Sequence, residues 1–295
     1  MSPERFFPPS ELILNDDGSV FHLHLRPEQL AGRVILVGDP GRVATVAAHF
    51  DEQYCEVANR EFHAITGRYG EKEITVLSTG IGCDNIDIVL NELDALANID
   101  FTTRREYTRP KKQLTIVRIG TCGGLQPDTP IGTFICSVKS IGFDGLLNFY
   151  AGRDQVCDLK TEKEFTTHVQ WNPHFCAPYV AQADETLVKR LNSQGDLHEG
   201  ITISCPGFYG PQGRELRIPL AEPELNQRIE SFRSSSGLRI LNFEMESSAV
   251  AGLSALLGHK AATVCIVIAN RRAKEANANY RNSIDQLIKL VLERI

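Results

Sequence analysis

No stretch of the 295-residue chain is apolar for long enough to cross a bilayer. The longest predominantly apolar run, Ala261 to Ala269, falls far short of the roughly 20 residues a spanning helix needs. Metal-binding spacing is missing as well. The cysteines stand at 55, 83, 122, 136, 157, 176, 205 and 265, never as close together as a zinc knuckle requires. A chain this long buries its own core and needs no disulfide staples. Repeats, low-complexity tracts and heptads are absent, which excludes fibrous and disordered classes. There is no excess of positive charge: Lys+Arg 31 against Asp+Glu 37 gives a net charge of -6. That balance excludes a general binder of nucleic acid or anionic membrane, but not a local basic pocket. The first ten residues, Met-Ser-Pro-Glu-Arg-Phe-Phe-Pro-Pro-Ser, hold no apolar leader core and no cleavage site, so a cytoplasmic protein with free thiols is expected.

Short β-rich runs alternate with helical periodicity. Arg33–Val37, Ile74–Ser78, Leu114–Ile119, Gly200–Ser204 and Ala262–Ile268 read as strands. Their continuous Val/Ile/Leu content suits strands buried on both faces. Helices are expected at Arg42–Phe50, Ile86–Asn98, Glu185–Gln194, Glu222–Phe232, Ser247–Leu257 and Ser283–Ile295. The alternation predicts one three-layer α/β domain over 1–295, a sheet flanked by helices. Residues 1–19 form an N-terminal extension. Two insertions break the rhythm: 102–112, a basic and solvated loop, and 148–178, long and irregular and packed on the surface.

Glycine turns follow the strands. Val37-Gly38-Asp39-Pro40-Gly41-Arg42 ends the first, with a proline suited to a helix start and an arginine just inside it. Such a helix N-terminus attracts an anion such as phosphate, although an ordinary strand-to-helix turn would look the same. Ser78-Thr79-Gly80-Ile81-Gly82 ends another strand, and Arg118-Ile119-Gly120-Thr121-Cys122-Gly123-Gly124 forms a third loop. Arg118 lies among apolar neighbours and so needs an anionic partner, either a ligand or a salt bridge to Glu244 or Glu246. Glycine loops at the carboxyl ends of strands build ligand crevices in open α/β sheets. None of them has the Gly-Lys-Ser/Thr ending of a P-loop.

Two polar clusters complete the pattern. In Asn242-Phe243-Glu244-Met245-Glu246-Ser247, residues two apart share a face of extended chain, so Glu244 and Glu246 point into one crevice. A carboxylate there could accept ribose hydroxyl protons, or Glu246 could cap the next helix. Cys205-Pro-Gly-Phe208-Tyr209-Gly-Pro-Gln212-Gly-Arg214 carries an aromatic, an amide and a guanidinium on a rigid loop. Glutamine pairs a donor with an acceptor, which matches an imide edge such as that of uracil. Arginine stabilises negative charge on a carbonyl oxygen, and Phe208 offers a stacking face. A surface loop with a solvated arginine is the rival reading.

In their joint order these motifs, with Phe21-His22-Leu23 and Asn59-Arg60-Glu61-Phe62, resemble the uridine phosphorylases of the nucleoside phosphorylase superfamily, trimeric and hexameric type. The resemblance runs from about Val20 to the C-terminus. It implies a mixed sheet partly closed into a barrel and flanked by helices. It also implies phosphate bound by Gly38, Arg42, Arg118 and Thr121, with Arg60 reaching in from a neighbouring subunit. Met245 and Glu246 would hold the ribose, and the neighbour's His22 would touch its 5′-hydroxyl. Phe208, Gln212 and Arg214 would grip the uracil, supported by Glu244 and Arg271. Val267-Ile268-Ala269-Asn270-Arg271 stands where a purine enzyme would place an acid.

The implied reaction is reversible phosphorolysis of uridine to uracil and ribose 1-phosphate in pyrimidine salvage, with inorganic phosphate as co-substrate and nucleophile and with no cofactor. Arg118, Gln212 and Arg214 would be its catalytic residues. The implied assembly is a homodimer sharing two sites, with the two insertions bearing on whether it grows to a hexamer. The family's interfacial potassium would take Glu61 and Ile81, but Gly82-Cys83-Asp84-Asn85 departs from the Gly-Gly-Pro-Ser common in bacterial relatives. Cys122 also replaces a second hydroxyl in the phosphate loop. A water-using nucleosidase and a nucleoside-sensing module are the rival functions.

Overall fold

The computed structural model describes residues 5–270, 275–276 and 281–295. In chain order its elements are β1 (Arg33–Val37), α1 (Pro40–Ala47), β2 (Glu52–Asn59), β3 (Phe62–Tyr69), β4 (Lys72–Ser78), α2 (Cys83–Asn98), β5 (Ile99–Asp100), β6 (Arg105–Glu106), β7 (Thr115–Gly124) and β8 (Phe134–Gly142). There follow α3 (Arg153–Val156), α4 (Leu159–His168), β9 (Tyr179–Gln182), α5 (Glu185–Leu191), β10 (His198–Ser204), α6 (Leu225–Ser231), β11 (Ile240–Glu244), α7 (Ser247–Leu257), β12 (Lys260–Asn270), β13 (Glu275–Ala276) and α8 (Arg281–Arg294).

Among the described residues, eleven strands join into one mixed sheet. β12, β8, β10, β11 and β7 pair in succession, and β7 pairs back onto β12, so these strands close a ring. From β7 the sheet continues as an open wing through β1, β4, β3 and β2. This is the expected partial barrel. Its inner face is small and soft, with Cys122, Ile135, Leu241, Cys265 and Val267 packed together.

The period-2 alternation of strands sorts the core into layers. In β1, Val34 and Leu36 pack with Ile86, Leu90 and Leu93 of α2 and Val250 of α7. Ile35 and Val37 face the other way, onto Val43 of α1, Leu187 of α5 and Leu287 of α8. A third cluster seats Phe165 of α4 and Ile229 of α6 against Ile201, Ile203 and Phe243.

Three stretches differ from the sequence expectation. Gly120 to Gly124 is not a loop but the end of β7, paired to β12 and β11. Here glycines mark close approach of neighbouring groups rather than a turn. Residues 148–178 are not irregular throughout. Asp158 caps α4 by accepting the Thr161 N–H and hydroxyl, and it receives Lys139 Nζ at 2.5 Å from β8. Phe165 is fully buried, so this segment contributes to the core as well as to the surface. The basic stretch 102–112 is not merely solvated. Arg104 donates to the carbonyls of Phe7 and Leu12, and Arg109 to that of Ala97, so these guanidiniums fasten the backbone.

Candidate active site

The loops after β1, β4, β10 and β11 converge on one cavity of about 700 Å³. Its wall brings together Gly38, Arg42, Arg118 and Thr121, the loop residues Phe208, Gln212 and Arg214, and Glu244, Met245 and Glu246. Residues far apart in the sequence thus meet as the motif order predicts. Glu61 and Ile81 also line it. Arg60 and His22 do not. Arg60 lies over the Phe21 ring, and the His22 ring is 2.6 Å from Glu92 of α2. The backbone N–H groups of His22 and Leu23 donate to the same carboxylate, anchoring this segment away from the chain's own cavity. Arg271 lies outside the described residues.

Asp39 caps α1 by accepting the Gly41 N–H at 2.9 Å, with Pro40 in the first turn. That cap aims the start of α1 at the cavity. Arg42, in the first turn of α1, forms no ion pair among the described residues. Its charge is available to an anion.

Arg118 is the buried cation. Its Nη2 donates to Glu246 Oε2, and its Nη1 lies 3.3 Å from Glu244 Oε2. The sequence left open which glutamate would pair with it; both do. Burial alone would lower the Arg118 pKa, but the two carboxylates outweigh it and raise it, so the guanidinium stays charged. Its Nε has no partner among the described residues. Triad charge sums to minus one when all three groups are ionised.

The two carboxylates are held differently. Glu244 accepts from Ser204 Oγ at 2.5 Å, Ser247 Oγ at 2.7 Å, and the N–H groups of Glu246 and Ser247. Glu244 therefore caps α7, and of the two readings the sequence left open for Glu246, capping is the one without a side-chain cap bond among the described residues. Glu246 instead accepts the Gly82 N–H at 2.7 Å besides Arg118. Burial raises its pKa above the ordinary carboxylate value, Arg118 opposes that, and Glu244 adds to it. With fewer donors than Glu244, Glu246 keeps capacity to accept hydroxyl protons.

In the loop after β10, Gly210–Gln212 forms a tight 3₁₀ turn, and Gly213 follows at φ 67. A Cβ at Gly213 would lie 2.2 Å from Asn226 Nδ2, the atom that donates to the Gln212 carbonyl from α6. Gln212 is buried, and its side-chain oxygen accepts Arg214 Nη1 at 2.6 Å. Arg214 also donates to the Phe208 carbonyl and sits 3.7 Å from the Phe208 ring centroid. Phe208 as a whole is 50% exposed. A second cavity of about 700 Å³ lies behind this loop, walled by Trp171, Phe175, Leu216 and Ile218 and sharing Arg214.

Sequence reasoning does not reach Ser204 or the Gly82 N–H. Ser247, three residues after Glu244 at a helix start, is the one signal of the cap that fixes Glu244.

Residues 33–295 match a family model described as the phosphorylase superfamily. A uridine phosphorylase of Thermococcus kodakarensis is 30% identical over 277 residues, covering 91% of this chain and 84% of the relative. One from Escherichia coli (strain K12) is 28% identical over 281 residues, covering 93% and 96%. A solved Trypanosoma brucei nucleoside phosphorylase, described as showing uridine phosphorylase activity, superposes with a TM-score of 0.86 at 27% identity, covering 96% of this chain and 98% of that one.

Proposed function

The chain belongs to the phosphorylase superfamily, and from that premise we propose that it is a uridine phosphorylase. It splits uridine with inorganic phosphate into uracil and ribose 1-phosphate, reversibly. The observation that carries this reading is the meeting of Arg42, Arg118, Gln212 and Arg214 with Glu246 around one cavity. Three guanidiniums suit an oxyanion and a departing base. The amide suits an imide edge, and the carboxylate suits vicinal hydroxyls.

Phosphate, held by the Gly38 turn, Arg42, Arg118 and Thr121, supplies the oxygen that attacks the anomeric carbon. The C1′–N1 bond breaks, its electron pair passes to the pyrimidine, and the ring gains the proton that hydrogen phosphate gives up on becoming the sugar ester, leaving as uracil. Gln212 and Arg214 stabilise the charge that grows on the base, so no protein nucleophile is needed. Phe208 stacks on the ring. Glu246 and Met245 fix the ribose, while Glu244, expected to support the base, acts instead by orienting the Glu246 backbone and Arg118. Arg271 supports the base site.

The assembly proposed is a homodimer in which each chain lends His22 and Arg60 to its partner's cavity. Neither residue lines its own cavity: His22 is on a segment anchored to α2, and Arg60, at the turn between β2 and β3, lies over Phe21, which supports that arrangement. A potassium ion between subunits would take Glu61 and the Ile81 carbonyl, and the Glu61 carboxylate has no ion pair among the described residues. A cytoplasmic location is proposed; no helix among the described residues is long and apolar enough to cross a membrane. The deciding experiment measures uracil release from uridine with and without phosphate. Release only with phosphate is expected. Equal release without it would make the protein a nucleosidase, and binding without release a sensor.

A further inference from the structure

The start of α2 grips the ribose-side segment twice. Gly82, at φ 105, donates its N–H to Glu246 Oε1 at 2.7 Å. The next residue, Cys83, donates its thiol to the Met245 carbonyl at 3.2 Å and lies 3.8 Å from Ser248 Oγ. Both contacts are buried or nearly so, and they reach adjacent residues of one short turn. Arg118 takes the other Glu246 oxygen, so the carboxylate is clamped between a guanidinium and a backbone N–H. The backbone behind it is held by the thiol.

We propose that the Gly82–Cys83 junction is the positioning element for ribose recognition, with Cys83 setting the backbone from which Met245 and Glu246 meet the sugar hydroxyls. This rests on the proposed ribose role of Glu246. Burial pushes the Cys83 thiol well above its ordinary value, so the sulfur keeps its proton and acts as a donor. Ser248 continues the brace, donating to Asp144 at 3.1 Å and accepting the Tyr179 hydroxyl at 3.0 Å. A general packing role would not single out the sugar: the Gly82 N–H and the shorter of the two Cys83 thiol contacts end on the two residues assigned to it.

The test compares Cys83→Ala and Cys83→Ser with the unaltered enzyme on uridine and 2′-deoxyuridine. Cys83→Ala should raise the uridine KM about two- to fivefold, the worth of one weak hydrogen bond. The phosphate KM should stay within about twofold, and 2′-deoxyuridine should be affected less, so that the preference for uridine falls. Cys83→Ser, which restores a donor, should recover most of the loss. Equal changes for both nucleosides and phosphate, or no change at all, overturn the proposal. Gly82→Ala, which opposes a positive φ, should give the same loss of uridine preference and decides the matter if Cys83→Ala does not fold. An unaltered enzyme that releases no uracil with phosphate would reject the functional reading instead.

Discussion

Gly120 lies directly beneath the guanidinium of Arg118: a Cβ on Gly120 would stand 2.3 Å from Arg118 Nη1 and 2.9 Å from Cys265 Sγ. The two residues share a face of β7, two positions apart, and the missing side chain is what lets the buried cation lie flat against the strand. Gly120→Ala should therefore displace Arg118 and raise the phosphate KM by about tenfold or more, corresponding to roughly 1.4 kcal/mol. Phosphate saturation curves at fixed uridine check this, and an unchanged KM would show that Arg118 tolerates the shift.

Arg118→Ala removes the counter-charge of two buried carboxylates. Saturation by phosphate should disappear, and the protein should lose about 3–5 kcal/mol of stability, the usual effect of breaking a buried ion pair by taking one partner away. Denaturant titration and phosphate kinetics measure the two effects separately.

Arg214→Ala should lower kcat by about 10²–10³, the cost of losing one donor to a developing anion. Its guanidinium also orders Gln212 and covers Phe208, so the uridine KM should rise as well. Steady-state kinetics reporting normal turnover would remove Arg214 from the chemistry.

The pH profile should carry the mark of Glu246. Burial raises its pKa above the ordinary 4.5, and it must be ionised to accept ribose hydroxyl protons. Activity therefore rises with pH through a value above 4.5. The acid limb of kcat/KM for uridine reports it. A midpoint at or below the ordinary value would contradict the assignment.

Asp158 makes the opposite case. Burial raises its pKa, but hydrogen bonds from Lys139 and Thr161 win and hold it at about 2, below the ordinary 3.8. Its stabilisation is present above the ordinary value and is lost as pH falls toward the folded one. Asp158→Ala should cost about 1–2 kcal/mol near neutral pH, as loss of a helix cap does. The gap from the unaltered protein should close between about pH 4 and pH 2 in acid melts.

Much of the fold was legible because the strands and helices that carry the core are strongly periodic. α7 spans Ser247–Leu257, the range its pattern predicts. β8 was not legible: its Ser137 and Ser140 are buried, against the usual preference, because the ring closes around them. β2 was missed too, since Glu52–Asn59 is an exposed edge strand with little apolar alternation. At the site, residue types and loop order pointed to the phosphate, sugar and base groups. Hydrogen-bond direction did not follow from them. That Glu244 caps a helix while Glu246 faces Gly82 depends on where β4 and β10 bring Gly82 and Ser204, and no local pattern encodes that.

β7 is the strand common to the closed ring and the open wing. Inserting or deleting one residue there would turn every following side chain to the opposite face in both halves at once. A connection such as 102–112 can take an extra residue without touching either half, whereas the branching strand tolerates substitution but not a change in length.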